Sequence, residues 1–144
     1  MEKLTTEELL KRLRSTRTIE ELGNYTSDLS GQQTWKSFSE YILAFLMKEG
    51  KTESEVIRDS QIPRTYAYQI LNGYKNPGRD KVLALCLALR MGYSDAQRAL
   101  ALAGVGELYP RRKKDSILIF ALEKELSVQQ TNELLFEEGE EILN

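Results

Sequence analysis

Apolar side chains recur along this chain at helical spacing, and no stretch alternates apolar with polar residues for the length of a strand. The cleanest case is Ser37 to Glu49. There Phe38, Tyr41, Ile42, Phe45 and Leu46 occupy positions i, i+3, i+4, i+7 and i+8 and share one face of an amphipathic helix. Helix starts are marked by Ser or Thr followed three residues later by Glu or Gln, a capping box that satisfies two free amides reciprocally. The pattern occurs at Thr5 and Glu8, Thr18 and Glu21, Ser37 and Glu40, Thr52 and Glu55, Ser94 and Gln97, and Ser127 and Gln130. Gly50, Gly73, Gly92 and Gly104 fall where the intervening helices should end. An all-α fold is predicted.

Three regions follow from this punctuation. Residues 1–35 form an N-terminal helical extension, with Leu9, Leu10 and Leu13 on one short helix, Ile19 and Leu22 on another, and a polar stretch from Ser27 to Thr34. Residues 36–106 hold five helices. The fourth, from about Arg79 to Arg90, offers Val82, Leu85, Cys86 and Leu89 to a core, and the fifth adds Ala96, Ala99, Leu100 and Ala103. Residues 107–144 echo that last pair. At an offset of 33 residues, Arg79, Lys81, Leu85, Ala88, Leu89, Ser94, Gln97, Leu102, Gly106 and Glu107 match Arg112, Lys114, Leu118, Ala121, Leu122, Ser127, Gln130, Leu135, Gly139 and Glu140. A C-terminal helical hairpin packed on the domain is expected, with Ile117, Phe120, Ala121, Leu134 and Leu135 on its buried side.

The stretch from Thr52 to Pro77 carries the most specific chemistry. Thr52 and Glu55 open a short helix with Val56 and Ile57 on its apolar side, and Ser60 and Gln61 break it. Pro63 stands in the first turn of a second helix, where a missing amide hydrogen costs nothing, and Gly73 closes that helix. Ile62, Tyr66, Ala67, Ile70 and Leu71 fall on one face of it, and Arg64, Thr65, Tyr68, Gln69 and Asn72 fall opposite. The second set is rich in hydrogen-bonding groups and lacks a carboxylate, which suits a helix laid against base edges and phosphates. A solvated surface helix also has a polar face, and spacing alone does not separate the two.

These residues resemble the lambda-repressor and Cro type of helix-turn-helix, the xenobiotic-response-element (XRE) family, over roughly Ser37 to Gly104. The family pattern is a capped helix opening with Thr, a Ser before the turn, an Arg-Ser/Thr-Tyr start to the recognition helix and a Gly-x-x-Asn-Pro exit. This chain has Thr52, Ser60, Arg64-Thr65-Tyr66 and Gly73-Tyr74-Lys75-Asn76-Pro77. The resemblance implies a five-helix lambda-repressor-like domain, double-stranded DNA as partner, and the helix 63–72 reading the major groove. Arg64 would then meet guanine O6 and N7, Gln69 would meet adenine N6 and N7, and Thr65, Tyr68 and Asn72 would share the same face. Lys75, Asn76, Arg79 and Lys81 lie where the family commonly meets phosphate. Three residues depart from the pattern: Glu53 stands in place of a Gln, Gln61 in place of the turn Gly, and Ile57 in place of a small Ala.

Composition narrows the classes. With 144 residues and 41% hydrophobic content, the chain can bury one good core. There is no histidine, so the commonest general base and nitrogen metal ligand are both missing, and neither an enzyme, a metal nor a cofactor is expected. The single cysteine, Cys86, lies inside the longest apolar run, Val82 to Leu89, and reads as a buried small hydrophobe. That run is far too short to cross a bilayer, so no membrane partner and a cytoplasmic location are expected.

Charge divides along the chain. Residues 51–114 carry 12 basic and 6 acidic side chains, whereas residues 115–144 carry 1 and 8. The densest positive stretch is Leu108 to Lys114, which reads either as a phosphate contact or as a solvated helix start. The basic middle of the chain is compatible with what the resemblance implies, a sequence-specific regulator of transcription, binding DNA as a homodimer because one short helix reads only a few base pairs. The alternative is a protein-interaction adaptor on a helix-turn-helix scaffold, with the N-terminal segment or the acidic C-terminal helices as its partner surface.

Overall fold

The computed structural model describes residues 5–15, 18–19 and 37–144. The chain divides into two units, Met1–Lys36 and Ser37–Asn144. In the first, α1 spans Thr6–Ser15 and starts at a reciprocal Thr5/Glu8 capping box. Its Leu9 is half-buried, while Leu10 and Leu13 remain exposed. Glu21 and Leu22 of the expected second helix lie outside the described residues, as does Ser27 to Thr34.

The second unit contains α2 (Phe38–Lys48), α3 (Glu53–Ser60), α4 (Arg64–Leu71), α5 (Arg79–Ala88), α6 (Tyr93–Leu102), α7 (Lys113–Glu123) and α8 (Val128–Glu137). Every regular element among the described residues is a helix. No helix among them is long and apolar enough to cross a membrane.

The centre is α5. From Val82 to Leu89 every side chain is buried, because α3, α6, α7 and α8 all pack against this one helix. A helix apolar all round has to be enclosed in this way. Sequence periodicity assigned only Val82, Leu85, Cys86 and Leu89 to the core; Leu83, Ala84, Leu87 and Ala88 are buried as well. Around α5, α2 contributes Phe38, Tyr41, Ile42 and Leu46 and leaves Phe45 half-buried, its ring edge-on to Tyr41 at 6.3 Å. Lys51 Nζ donates to Ala88 O at 3.1 Å, placing a cation at the negative end of α5.

The C-terminal hairpin repeats α5–α6 in a register the residue matches did not give. Left-handed residues Arg90 and Glu125 end α5 and α7, Gly92 and Ser127 cap α6 and α8, and Gly104 and Gly139 follow them. Each pair is 35 residues apart (90 to 125, 92 to 127, 104 to 139), so the identities at 33 do not mark structurally equivalent positions. Gln130 completes the capping box of α8, but Gln97 does not cap α6. Its side-chain amide instead brackets Leu108, donating to Leu108 O at 3.0 Å and accepting from Leu108 N at 2.7 Å. Tyr93 N is met by Glu123 Oε1 at 2.9 Å, a carboxylate reaching over from α7.

The buried face of α7 also differs from expectation. Asp115, Leu118, Ala121 and Leu122 point inward, Ile117 and Leu134 are half-buried, and Phe120 is 50% exposed. Residues 117–122 are all apolar, so helical spacing offered no preferred face. A polar contact fixes the rotation. Asp115 accepts from Arg79 Nη1 at 3.0 Å, from Arg79 Nη2 at 2.9 Å and from Tyr109 N at 2.9 Å.

Candidate nucleic-acid interface

The pair α3 and α4 is built by its turn. Thr52 Oγ1 accepts from Glu55 N at 3.1 Å to start α3, and Glu53 and Glu55 place negative charge at the positive end of that helix. Val56 and Ile57 are buried. At the far end Ser60, 2% exposed, donates its hydroxyl to Ile57 O at 2.7 Å and accepts from Ile62 N at 3.2 Å. One hydroxyl thus joins the last turn of α3 to the chain entering α4. Between them Gln61 adopts the left-handed conformation, φ 61°, where a glycine would sit without strain. Ile62 turns into the core and Pro63 caps α4, so the helix begins at Arg64, one residue later than the sequence suggested.

Ala67, Ile70 and Leu71 anchor α4 to the core, and Tyr66 is half-buried with Lys81 Nζ 5.8 Å from its ring centre. This leaves the opposite face open. Arg64, Thr65 and Asn72 are exposed, and Tyr68 and Gln69 are half-buried beside them. The Arg64 guanidinium lies 5.6 Å from the centre of the Tyr68 ring one turn on, a cation–π contact that restricts the arginine while leaving its N–H edge free to donate. Between α3 and α4 runs a groove of about 470 Å³ lined by Ser54, Ile57, Arg58, Ile62, Pro63 and Tyr68 among others.

After α4 the chain turns sharply. Tyr74 N and Lys75 N both donate to Gln69 O, at 2.9 and 3.1 Å, and Gly73 takes φ 83° to allow it. Lys75 and Asn76 are exposed on this exit, continuous in sequence with the open face of α4. Tyr74, 82% exposed, stands with them. In the sequence Tyr74 is only a variable position of the Gly-x-x-Asn-Pro exit, and its neighbour Lys75 is the signal that this turn faces outward.

Arg79 does not belong to this set. Expected to meet phosphate, it instead donates from Nε to Gly106 O at 2.8 Å, from Nη2 to Glu107 O at 3.0 Å, and from both terminal nitrogens to Asp115. Four of its five donors are engaged within the chain. The site residues brought together are therefore Arg64, Thr65, Tyr68, Gln69 and Asn72 on α4, followed by Lys75 and Asn76.

No known protein family, curated protein or solved structure matches this chain. The likeness to the XRE type rests on the residues themselves.

Elsewhere, no group of three or more His, Cys, Asp or Glu among the described residues could hold a metal ion. Complete burial pushes the Cys86 thiol far above its ordinary range, so it stays protonated and unreactive. Burial, with help from the Asp95 charge, likewise raises the Tyr41 phenol, which donates to Asp95 O at 3.2 Å.

Proposed function

We propose that this chain is a sequence-specific double-stranded DNA-binding protein, a transcriptional regulator of the lambda-repressor-like kind, with α4 in the major groove. The observation that carries the reading is the open face of α4. Arg64, Thr65, Gln69 and Asn72 are presented in a row without a carboxylate, on a helix held from behind by three buried side chains and in front by the Ser60 turn. Arg64 reads guanine, Gln69 reads adenine, and Lys75 and Asn76 hold phosphate. The protein acts in the cytoplasm, without cofactor or catalysis. Two copies bind a palindromic site, since one eight-residue helix spans only a few base pairs.

The test is a pair of variants. Arg64→Ala is expected to relax preference at one base position, costing about 1 to 3 kcal/mol on the preferred duplex and little on random DNA. Lys75→Ala is expected to weaken binding to all duplexes alike and to lower the salt slope by about 1. Equal losses on preferred and random DNA for both variants would remove α4 from the reading role.

A second reading keeps the scaffold and exchanges the partner. The groove between α3 and α4 is lined by Ile57, Ile62 and Pro63 beside Arg58 and Arg64, and its Ser54 stands between Glu53 and Glu55 in sequence; the apolar lining and these acids are what favour a protein partner. Association with a protein and none with DNA at low salt would favour this adaptor.

A further inference from the structure

The cationic stretch Arg111-Arg112-Lys113-Lys114 has no role in the reading helix, yet the fold ties it to that helix's exit. Arg79 follows Lys75 by four residues, and its guanidinium grips Gly106 O, Glu107 O and Asp115 at 2.8 to 3.0 Å. Tyr109 N is held on the same Asp115 carboxylate, and Arg112 N closes a turn onto Tyr109 O at 3.0 Å. Segment 109–112 is thus a fixed turn anchored to the residue where α5 leaves the recognition exit.

The four cations are not equivalent. Lys113 Nζ donates to Glu138 O at 2.6 Å, and Lys114 is half-buried. Arg111 and Arg112 are exposed, and among the described residues neither side chain has a hydrogen bond or ion pair. The nearby carboxylate of Asp115 is already matched by Arg79, that of Glu138 lies 4.0 Å from Lys113 Nζ, and Glu107 is a further exposed acid of this corner. Within the fold the charge of Arg112 favours the ionised Asp115, but no hydrogen bond or ion pair holds the side chain of either arginine. They sit at the positive end of α7, where no side chain caps the helix and the helix dipole disfavours a cation.

We propose that Arg111 and Arg112 form a second anchor for the phosphate backbone of the bound duplex, beyond the base pairs read by α4. The proposal rests on the DNA-binding reading. The C-terminal hairpin then serves binding as well as stability: it lengthens the footprint on one side without adding base contacts. Two guanidiniums on phosphates release counterions and carry no sequence information.

The experiment measures affinity against salt for the full chain, for the double variant Arg111→Ala with Arg112→Ala, and for Lys124→Ala as a cation at the other end of α7. Each is tested on a duplex with long flanks and on one trimmed to the selected motif. The double variant is expected to lower the log–log salt slope by about 2 on the long duplex, with about a thirtyfold loss of affinity near physiological salt. Its base preference should be unchanged, and both the slope change and the loss should shrink on the trimmed duplex. Lys124→Ala should match the unaltered chain. An unchanged slope on the long duplex, or an equal loss on both duplexes, overturns the anchor while leaving the reading helix intact. If the unaltered chain shows no salt-dependent binding to any duplex, the DNA-binding reading falls and the anchor falls with it.

Discussion

Arg79 and Asp115, separated by 36 residues, meet as a two-pronged ion pair with N–O distances of 3.0 and 2.9 Å, the carboxylate almost fully enclosed and the guanidinium partly so. This pair joins the start of the central helix to the start of the C-terminal hairpin. It also accords with the rotation of α7, whose Asp115, Leu118 and Leu122 are buried together on one face.

Removing one partner should therefore be costly, and more so when the buried charge is the one left behind. Arg79→Ala is expected to destabilise the chain by about 4 kcal/mol and Asp115→Ala by about 3 kcal/mol, measured by urea unfolding. Negligible losses would mean that the pair does not hold the hairpin, and equal ones that the stranded carboxylate is no costlier than the stranded guanidinium.

The same pair sets an acid limb of stability. Burial alone would raise the Asp115 pKa, but the Arg79 hydrogen bonds, the Tyr109 amide and the charges of Arg79 and Arg112 outweigh it, and the pKa lies below its ordinary 3.8. A depressed carboxylate contributes stability that is fully present above its unfolded value and is lost as pH falls through the folded one. Asp115→Asn is thus expected to be less stable at neutral pH and to show a shallower decline below about pH 4. An unchanged acid slope would place the linkage elsewhere.

The turn between α3 and α4 offers two substitutions of opposite sign. Ser60→Ala removes the hydroxyl shared by Ile57 O and Ile62 N and should cost about 1 to 2 kcal/mol. Gln61→Gly relieves a left-handed non-glycine residue and should gain up to about 1 kcal/mol, whereas Gln61→Ala should gain nothing. Thermal melts of the three variants decide the matter.

Much of the fold was legible because its signals are local. Thr5 with Glu8 and Ser127 with Gln130 form the reciprocal boxes their spacing implied, and the apolar stripe of α2 is buried but for Phe45. The α3–α4 pair lay within one short stretch and was placed to within a residue. What failed depended on distant partners. Gln97 looked like a cap and became a bracket for Leu108, and Arg79 looked like a phosphate ligand and became an internal clamp, because neither partner lies within one helical turn. The face of α7 was hidden by six apolar residues in succession, and only the polar contact of Asp115 selects among them.

That selection is open to a direct check. Leu118, 1% exposed, should cost about 2 to 5 kcal/mol on replacement by Ala, while Phe120→Ser should change stability by less than about 0.5 kcal/mol. The reverse order would mean that the hairpin packs through its Ile117 and Phe120 face.

The measurement that bears most directly on function is selection of duplexes from a random DNA pool by the purified full chain near physiological salt. An enriched palindrome is expected, with half-sites spaced for two copies of α4 and with the preference at one base position of each half-site abolished by Arg64→Ala. No enrichment, together with no salt-dependent binding to any duplex, would contradict the DNA-binding reading and leave the groove between α3 and α4 as a surface for protein.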